Sequence, residues 1–261
     1  MKSIKNTVIL VTKKKETAEK YFSQLSDEGA KIIFFPTIKV IPRLESHELK
    51  NVINHFTDFD YLILTSSNAV KVFAEIIQSY SLDLTKIKVA AVGEKTSEEC
   101  SFNGIKVDIL PEVYSSKGLI KIFSKFELNG KKIFIPSSSL SNGELKLGLT
   151  ELGAKVDLIH VYDVVSSDLS ELRKEYEKII NRQPDIYIFT SPSSFNNFIG
   201  LIKINDISNY FVNKIICAIG STTEKAVERY GLSVHIVPKT YSLSGVSEAI
   251  IKYFQLTVNM V

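Results

Sequence analysis

Short apolar runs rich in β-branched residues alternate along the chain with longer stretches in which apolar residues recur at helical spacing. The short runs predict strands at residues 8–11, 31–35, 61–64, 89–92 and 107–110, with counterparts in the second half of the chain. The longer stretches predict helices at residues 16–28, 69–78, 97–102 and 117–126. Because strands that alternate with helices form parallel sheets covered on both faces, the pattern predicts an α/β fold of the doubly wound kind.

The second half of the chain repeats the first. Residues 60–73 (DYLILTSSNAVKVF) match residues 185–198 (DIYIFTSPSSFNNF) at an offset of 185 − 60 = 125. Residues 89–96 match 216–223, and 111–118 match 238–245, both at an offset of 216 − 89 = 127; a weaker match links 28–31 to 152–155. Matches in one order with a nearly constant offset predict two copies of one supersecondary pattern, and therefore two similar parallel-sheet lobes.

Two segments depart from this alternation of strands and helices. Residues 37–42 and 160–165 each alternate polar and apolar side chains over a short length. This pattern is typical of exposed extended chain. We therefore expect these two segments to connect the lobes.

Composition narrows the class of protein. The 261 residues, 44% hydrophobic and 23% charged, suffice for one large or two small domains. A net charge of +3, with basic and acidic residues interspersed, suits a small anionic ligand and argues against a nucleic-acid partner. The apolar run at residues 8–11 is too short for a signal peptide, and no run approaches the roughly 18 residues of a membrane helix. We expect a cytoplasmic protein with no membrane partner.

Cysteine, histidine and glycine patterns indicate that no metal or organic cofactor is used. Cys100 and Cys217 are far apart and form no CxxC motif, which argues against a zinc site or a disulfide framework. The four histidines are dispersed: His47, His55, His160 and His235. The glycine-rich motifs of dinucleotide and P-loop sites, the nucleophile motif of α/β-hydrolases and the HExxH motif of zinc proteases are missing from the sequence.

Hydroxyl-bearing loops recur after the predicted strands, each just before a predicted helix. Ligands bind to parallel sheets at the carboxyl ends of the strands, and helix N-termini attract carboxylates and phosphates. Such loops, if they face one cleft, would form a broad receptor for anions. The candidate binding residues in these loops are Thr65, Ser66, Ser67, Gly93, Thr96, Tyr114, Ser115, Ser191, Ser193, Gly220, Thr222 and Thr223.

The same residues have a structural explanation that the sequence leaves open. Serine and threonine are preferred helix N-caps, and residues 96–99 (TSEE) have the spacing of a capping box with Thr96 as the cap. Gly93 and Gly220 either keep backbone accessible to a ligand or serve tight turns. Tyr162, in the second connecting segment, is either a packing residue or a functional phenol.

Four segments together resemble the uroporphyrinogen-III synthase family over nearly the whole chain. They are residues 63–70 (ILTSSNAV), 91–96 (AVGEKT), 152–162 (LGAKVDLIHVY), and 189–193 (FTSPS) followed by 218–226 (AIGSTTEKA). The resemblance implies two α/β lobes joined by a two-stranded linker, with the active site in the cleft between the lobes. It assigns residues 1–37 and 166–261 to a discontinuous first lobe, 43–160 to the second, and 38–42 and 161–165 to the linker strands.

The reaction that the resemblance implies is that of a cofactor-free hydro-lyase of haem biosynthesis. Hydroxymethylbilane, a linear tetrapyrrole with eight carboxylates, loses water and closes to uroporphyrinogen III with inversion of ring D. An acid assists departure of the terminal hydroxyl, an azafulvene forms, and the substituted carbon of ring D attacks to give a spiro intermediate. The linear substrate also closes spontaneously without inversion, so folding of the substrate counts as much as proton transfer.

By position, Tyr162 matches the tyrosine proposed as the acid in that family. A phenol remains protonated at neutral pH and can therefore donate. Hydroxyl positions that line the family's cleft are matched by Ser66, Thr96, Ser191 and Thr223. Asn142 stands where many members have an arginine, which leaves this loop without a cation for a substrate carboxylate.

Partners and competing functions follow from the same reasoning. The family resemblance suggests a monomer that makes transient contact with hydroxymethylbilane synthase. The main alternative is a cytoplasmic two-lobed binding or sensor protein for a small polyanionic ligand. A non-catalytic module of the flavodoxin-like kind is a third possibility, but the chain has Thr12, Lys13 and Lys14 after its first strand where a phosphoacceptor domain has acidic residues.

Overall fold

The computed structural model describes residues 4–258, which divide into two compact units. Unit 1 consists of the residues up to Lys39 together with those from Ser166 onward, and unit 2 is Val40–Val165. The strands are β1 (Val8–Val11), β2 (Lys31–Phe34), β3 (Ile38–Pro42), β4 (Tyr61–Leu64), β5 (Lys88–Ala91), β6 (Lys132–Ser138), β7 (Lys155–Ser166), β8 (Ile186–Phe189) and β9 (Ile215–Ala218). The helices are α1 (Lys15–Asp27), α2 (His47–Asn54), α3 (Ser67–Tyr80), α4 (Glu94–Phe102), α5 (Ser116–Phe123), α6 (Glu144–Glu151), α7 (Arg173–Asn181), α8 (Pro192–Ile202), α9 (Ile207–Tyr210), α10 (Ser221–Glu228) and α11 (Leu243–Val258).

Unit 1 is built on a parallel sheet with the strand order β2-β1-β8-β9. Successive residues of a strand point to opposite faces, so Ile9 packs into one core with helices α1 and α11 while Leu10 packs into another. The second core is rich in aromatic rings, including Phe189 and Phe198, both fully buried. Cover on both faces explains why these strands are uninterrupted apolar runs.

Unit 2 is built on a second sheet with the strand order β3-β7-β6-β4-β5, in which β7, β6, β4 and β5 run parallel. Leu62 and Leu64 face a core formed with α2 and α3, whereas Ile63 faces the core formed with α5 and α6. Residues 161–165 are not a separate element, because β7 continues through them without a break. The predicted α/β class with parallel sheets is confirmed in both units.

The two sequence repeats do not correspond to the two units. In unit 1, β1 and β2 come from the first repeat and pair in one sheet with β8 and β9 from the second. In unit 2, β4 and β5 from the first repeat share a sheet with β6 and β7 from the second. Each sheet is therefore assembled from half of each repeat.

Equivalent turns show that the repeats share backbone conformation. Gly29 and Gly153 have φ angles of 91° and 92° at the ends of α1 and α6. In both turns the amide of the following alanine donates back into the helix, from Ala30 to Leu25 and from Ala154 to the equivalent leucine. Such left-handed helix ends strongly favour glycine, which accounts for the weak sequence match at these positions.

Two predictions about secondary structure were wrong. Residues 107–110 do not form a strand, since Ile109 makes only an isolated bridge to Ala90 and Pro111, which lacks an N–H donor, soon follows. Thr96 is not a helix cap, because α4 already begins at Glu94 with Gly93 as its N-cap. Helix α2 was not predicted at all.

Candidate functional site

The carboxyl edge of the unit 2 sheet brings two candidate residues into contact. Ser66 follows β4, Tyr162 lies in β7, and β6 separates these two strands in the sheet. The hydroxyl oxygens of Ser66 and Tyr162 are 3.0 Å apart, a hydrogen-bonding distance. Tyr162 is 4% exposed, so its phenol sits in a largely water-free position.

Ser66 is also the N-cap of helix α3. Its side-chain oxygen accepts a hydrogen bond from the amide of Ala69 at 3.1 Å, and its carbonyl accepts one from Val70. The phenol of Tyr162 is thereby held, through Ser66, at the N-terminus of a 14-residue helix. A helix N-terminus carries partial positive charge, which favours an oxygen that becomes negative.

Backbone amides of the first helical turns are available to anions in unit 2. Within the described residues, the amides of Ser67 and Asn68 in α3 have no hydrogen-bond partner. Helix α4 has no side-chain cap, since its N-cap is Gly93. In α5, Ser115 caps the amide of Gly118 at 3.1 Å. Unpaired first-turn amides bind carboxylates without needing a charged side chain.

Gly93 and Gly220 each make room for a tyrosine ring. A Cβ atom placed on Gly93 would lie 3.0 Å from Tyr114, and one on Gly220 would lie 3.1 Å from Tyr241. Both rings are about half exposed, at 56% and 55%. Neither glycine has a positive φ, so close approach of an aromatic ring, and not backbone strain, favours glycine here. The two glycines therefore occur at equivalent places in the two repeats for the same structural reason, the tyrosine ring packed against each of them.

The threonines at the starts of α4 and α10 are buried inside their helices. Thr96 is 5% exposed and Thr223 is 3% exposed. Each donates its backbone amide to the carbonyl of the capping glycine three residues before it, at 3.1 Å and 3.0 Å. Thr222, by contrast, is exposed at the surface of the same first turn. The two buried threonines shape the turns and offer little of their own surface.

In unit 1, a network of hydroxyls supports the loop before α8. Ser191 and Ser194 form a reciprocal capping box, and Ser191 and Ser193 hydroxyls lie 3.0 Å apart. The oxygen of Ser194 accepts from the amides of Thr190 and Ser191 at 3.1 Å and 3.0 Å. These two amides are therefore already paired and are not available to an anion.

The buried base of that network is Thr12, which the sequence did not single out. Its hydroxyl donates to the carbonyl of Ile188 at 3.0 Å and lies 3.1 Å from the hydroxyl of Ser194. The strand registers equate Val8 with Lys132, an offset of 132 − 8 = 124, so Thr12 corresponds to Pro136 in unit 2, which carries no hydroxyl.

Asn142 has a structural partner in its loop. Its side-chain oxygen accepts a hydrogen bond from the amide of Glu144 at 3.1 Å, and Gly143 between them has a φ of 72°. Asn142 thus closes the turn that starts helix α6. The side chain is exposed and uncharged.

The two thiols are buried and inert in this environment. Burial raises the pKa of the Cys100 thiol to about 11 and raises that of Cys217 as well. Both cysteines are free. Across residues 4–258, the side chains form no group of three or more potential metal ligands. Over the same residues, no helix combines the length and apolar character needed to cross a membrane.

Comparison with known proteins places these residues in a family. The profile of the family described as uroporphyrinogen-III synthase HemD matches residues 19–248. The uroporphyrinogen-III synthase of Chlorobaculum parvum is 26% identical over 246 residues, which cover 93% of this chain and 97% of that protein. The synthase of Synechococcus elongatus is 26% identical over 261 residues, covering 95% and 96%.

A solved structure shares the fold. The uroporphyrinogen-III synthetase of Helicobacter pylori superposes with a TM-score of 0.64 at 19% identity, covering 95% of this chain and 99% of that one. At this identity the likeness concerns the fold alone. Because the family profile matches most of the sequence, the chain belongs to the uroporphyrinogen-III synthase family.

Proposed function

We propose that this protein cyclises hydroxymethylbilane to uroporphyrinogen III, with inversion of ring D and loss of water. The observation that carries the proposal is the hydrogen bond between Tyr162 and Ser66 at the N-terminus of α3. It holds a phenol at the carboxyl edge of a parallel sheet, where ligands of such folds bind.

Tyr162 is the proposed acid for departure of the terminal hydroxyl. The phenol proton goes to the hydroxyl oxygen, the carbon–oxygen bond breaks, and water leaves as the azafulvene forms in its N-protonated, cationic state. The substituted carbon of ring D then attacks this azafulvene, and the spiro intermediate fragments and recloses with ring D inverted. Ring D loses one proton when it becomes aromatic again, which balances the proton given to the leaving water.

The eight substrate carboxylates are proposed to bind mainly to backbone amides and hydroxyls. Support comes from the unpaired amides of Ser67 and Asn68 in unit 2 and from the exposed hydroxyls of Ser193 and Thr222 in unit 1. The remaining candidates lie in the same helix-start loops: Thr65, Gly93, Tyr114, Ser115, Ser191 and Gly220. Thr96 and Thr223 are proposed to keep the first turns of α4 and α10 in shape for this binding.

The test is a product analysis. Purified protein is incubated with hydroxymethylbilane generated enzymatically in the same mixture, and the oxidised products are separated by isomer. We expect enrichment of the type III isomer over a control with heat-denatured protein, in which spontaneous closure gives type I. A product that is entirely type I in both samples would contradict the proposal.

Location, assembly and domain limits are part of the same proposal. We propose a cytoplasmic monomer that uses no cofactor, with lobes at residues 1–37 plus 166–261 and at 43–160. Contact with hydroxymethylbilane synthase is proposed to be transient. Sedimentation of the protein alone tests the monomer, and sedimentation of a mixture with that enzyme tests the transient contact. A stable dimer or a stable complex would sediment faster than the monomer.

A further inference from the structure

We propose that Ser66 is a positioning residue for Tyr162. Ser66 directs the phenol proton toward the substrate, and it remains hydrogen-bonded to the phenol oxygen after that proton has left. The inference rests on the proposed role of Tyr162 as the acid. It starts from two distances at one oxygen: 3.0 Å from Ser66 Oγ to the phenol oxygen of Tyr162, and 3.1 Å from the amide of Ala69 to the same Oγ.

The hydrogen bonds that Ser66 can form define its role. A serine hydroxyl has one proton to donate and two lone pairs that accept. One lone pair is taken by the amide of Ala69. When the phenol proton turns toward the substrate, the bond between the two hydroxyls persists only if Ser66 donates its own proton to the oxygen of Tyr162. Ser66 is thus the group that frees the phenol proton for transfer.

The position of Ser66 in α3 strengthens that donation. The amide of Ala69 and the partial positive charge at the helix N-terminus both withdraw electron density from Ser66 Oγ, which makes its O–H a better donor. A phenolate formed at Tyr162 would therefore be held by a polarised donor. Because Tyr162 is 4% exposed, water has little room to take over this bond.

Capping alone does not account for the arrangement. The serines that cap α2, α5 and α8 also accept a first-turn amide: they are Ser46, Ser115 and Ser191. Among these capping serines of the described helices, Ser66 is the one whose oxygen lies within hydrogen-bonding distance of a tyrosine hydroxyl. A plain cap is therefore available in the chain as a matched control.

The experiment compares steady-state kinetics of variants with hydroxymethylbilane as substrate and spontaneous closure subtracted. Ser66→Ala is expected to lower kcat about 10- to 100-fold, the range for loss of a hydrogen bond to a charged group, with KM changed less than about 2-fold. Ser66→Thr keeps a hydroxyl and is expected to recover most of the rate. Ser46→Ala removes a cap of the same kind and is expected to leave kcat and KM unchanged.

A double variant separates positioning from stability. In the Tyr162→Phe background, adding Ser66→Ala is expected to slow turnover no further, because the phenol that Ser66 serves is gone. An equal loss in both backgrounds, or a rise in KM at constant kcat, overturns the inference. If Ser66→Ala does not fold, Ser66→Gly replaces it, since glycine is a tolerated N-cap without a hydroxyl.

The two proposals fail in different ways. If Tyr162→Phe turns over slowly while Ser66→Ala keeps the parent rate, only the role of Ser66 is wrong. If Tyr162→Phe itself keeps the parent rate, the acid role fails and the role of Ser66 fails with it. In that case the product isomer assay still decides whether the protein is a synthase.

Discussion

At the scale of single residues, the close approach of Tyr114 to Gly93 leads to a test of packing. A methyl group at position 93 would have to push the ring of Tyr114 aside, because its Cβ would lie 3.0 Å from the tyrosine Cβ and 3.1 Å from the ring. Overpacking of this kind typically costs about 1–3 kcal/mol. We expect Gly93→Ala to lower the free energy of unfolding by that order, measured by urea denaturation.

A matched glycine supplies the control for this prediction. Gly200 lies inside helix α8 with no atom within 4 Å of the position a Cβ would take. There Gly200→Ala is expected to stabilise the protein by about 0.5–1 kcal/mol, since alanine favours a helix over glycine. If Gly93→Ala and Gly200→Ala changed the free energy of unfolding equally, contact with the tyrosine ring would not be what disfavours a side chain at position 93.

Tyr162 carries the prediction about chemistry. A positioned general acid typically contributes about 10²–10⁴-fold to a rate, so Tyr162→Phe is expected to lower kcat within that range while folding survives. The ratio of type III to type I in the enzymatic product should stay the same, because the loops are proposed to fold the substrate. A variant that loses isomer selectivity along with rate would show that the phenol shapes the substrate as well.

Residue identities in the candidate site were partly predictable from the sequence. Ser66 and Ser191 stood out because strand-to-helix loops repeat at a constant offset, and both are indeed helix caps. Thr12 and Ser194 were missed because their contacts join residues about 180 positions apart, which no local pattern reveals. The bond between Ser66 and Tyr162 is hidden for the same reason, since it spans 96 positions.

At the scale of secondary-structure elements, a substitution in the cap of α8 is expected to affect stability more than activity. Ser191→Ala removes one half of a capping box and is expected to lower the free energy of unfolding by about 1 kcal/mol. Turnover should fall only mildly, because other contacts share the binding of the carboxylates. Chemical denaturation and steady-state kinetics on the same preparation measure both effects. Complete loss of turnover in a folded variant would give Ser191 a direct chemical role.

Asp60, just before β4, links that strand to β6 and predicts a pH dependence. Burial opposes ionisation of its carboxyl, but hydrogen bonds from the side chain of Lys131 and the amide of Lys132 outweigh it and hold the pKa below the usual range. A lowered carboxyl pKa stabilises the fold above the unfolded value of about 3.9 and ceases to do so as pH falls through the folded value.

Replacement of Asp60 tests this linkage. We expect Asp60→Asn to lower the free energy of unfolding by roughly 1–3 kcal/mol at pH 7, the order for hydrogen bonds to a charged group. The difference from the parent protein should shrink as pH falls below about 4, because the carboxyl then becomes protonated first in the unfolded chain and, at lower pH, in the folded protein. Thermal unfolding followed between pH 3 and pH 7 measures it. A difference that stays constant over this range would exclude ionisation as the cause.

The positions of strands could be predicted from the sequence where every residue of the strand is buried. Strands β1 and β4, each flanked by a strand on both sides, are continuous apolar runs and were predicted with the bounds that the structure has. Residues 107–110 are apolar at every position except Asp108, yet Pro111 prevents a ladder from extending there. Helix α2 escaped prediction because its apolar face is narrow, with only Leu49 and Val52 buried.

At the scale of the whole molecule, the exchange of strands between repeats determines which fragments can fold. Residues 40–165 contain every strand of the unit 2 sheet apart from the ends of β3 and β7, and both of its cores. We expect this fragment to fold alone and to unfold cooperatively, as seen by circular dichroism on heating. Residues 1–125, a complete sequence repeat, contain strands of both sheets and complete neither, so they are expected to remain unfolded.

The periodicity of the sequence predicts two copies of one pattern but not which strands pair. That information lies in contacts such as the pairing of Val11 with Ile188, which are far apart in the chain. A folded fragment 1–125 together with an unfolded fragment 40–165 would contradict the assignment of the units. Only the family resemblance pointed to a discontinuous first lobe.

The sheet order of unit 1 also has a consequence for synthesis on the ribosome. Strand β1 lies between β2 and β8, and β8 starts 186 − 11 = 175 positions after the end of β1. At about 5–20 residues per second, the nascent chain waits roughly 9–35 s for that partner. Meanwhile the apolar edge of β1 stays open, while unit 2 is synthesised without interruption. Unit 2 is therefore expected to fold first. The sheet of unit 1 is expected to be completed later, when β8 and β9 pair with a strand that was synthesised early.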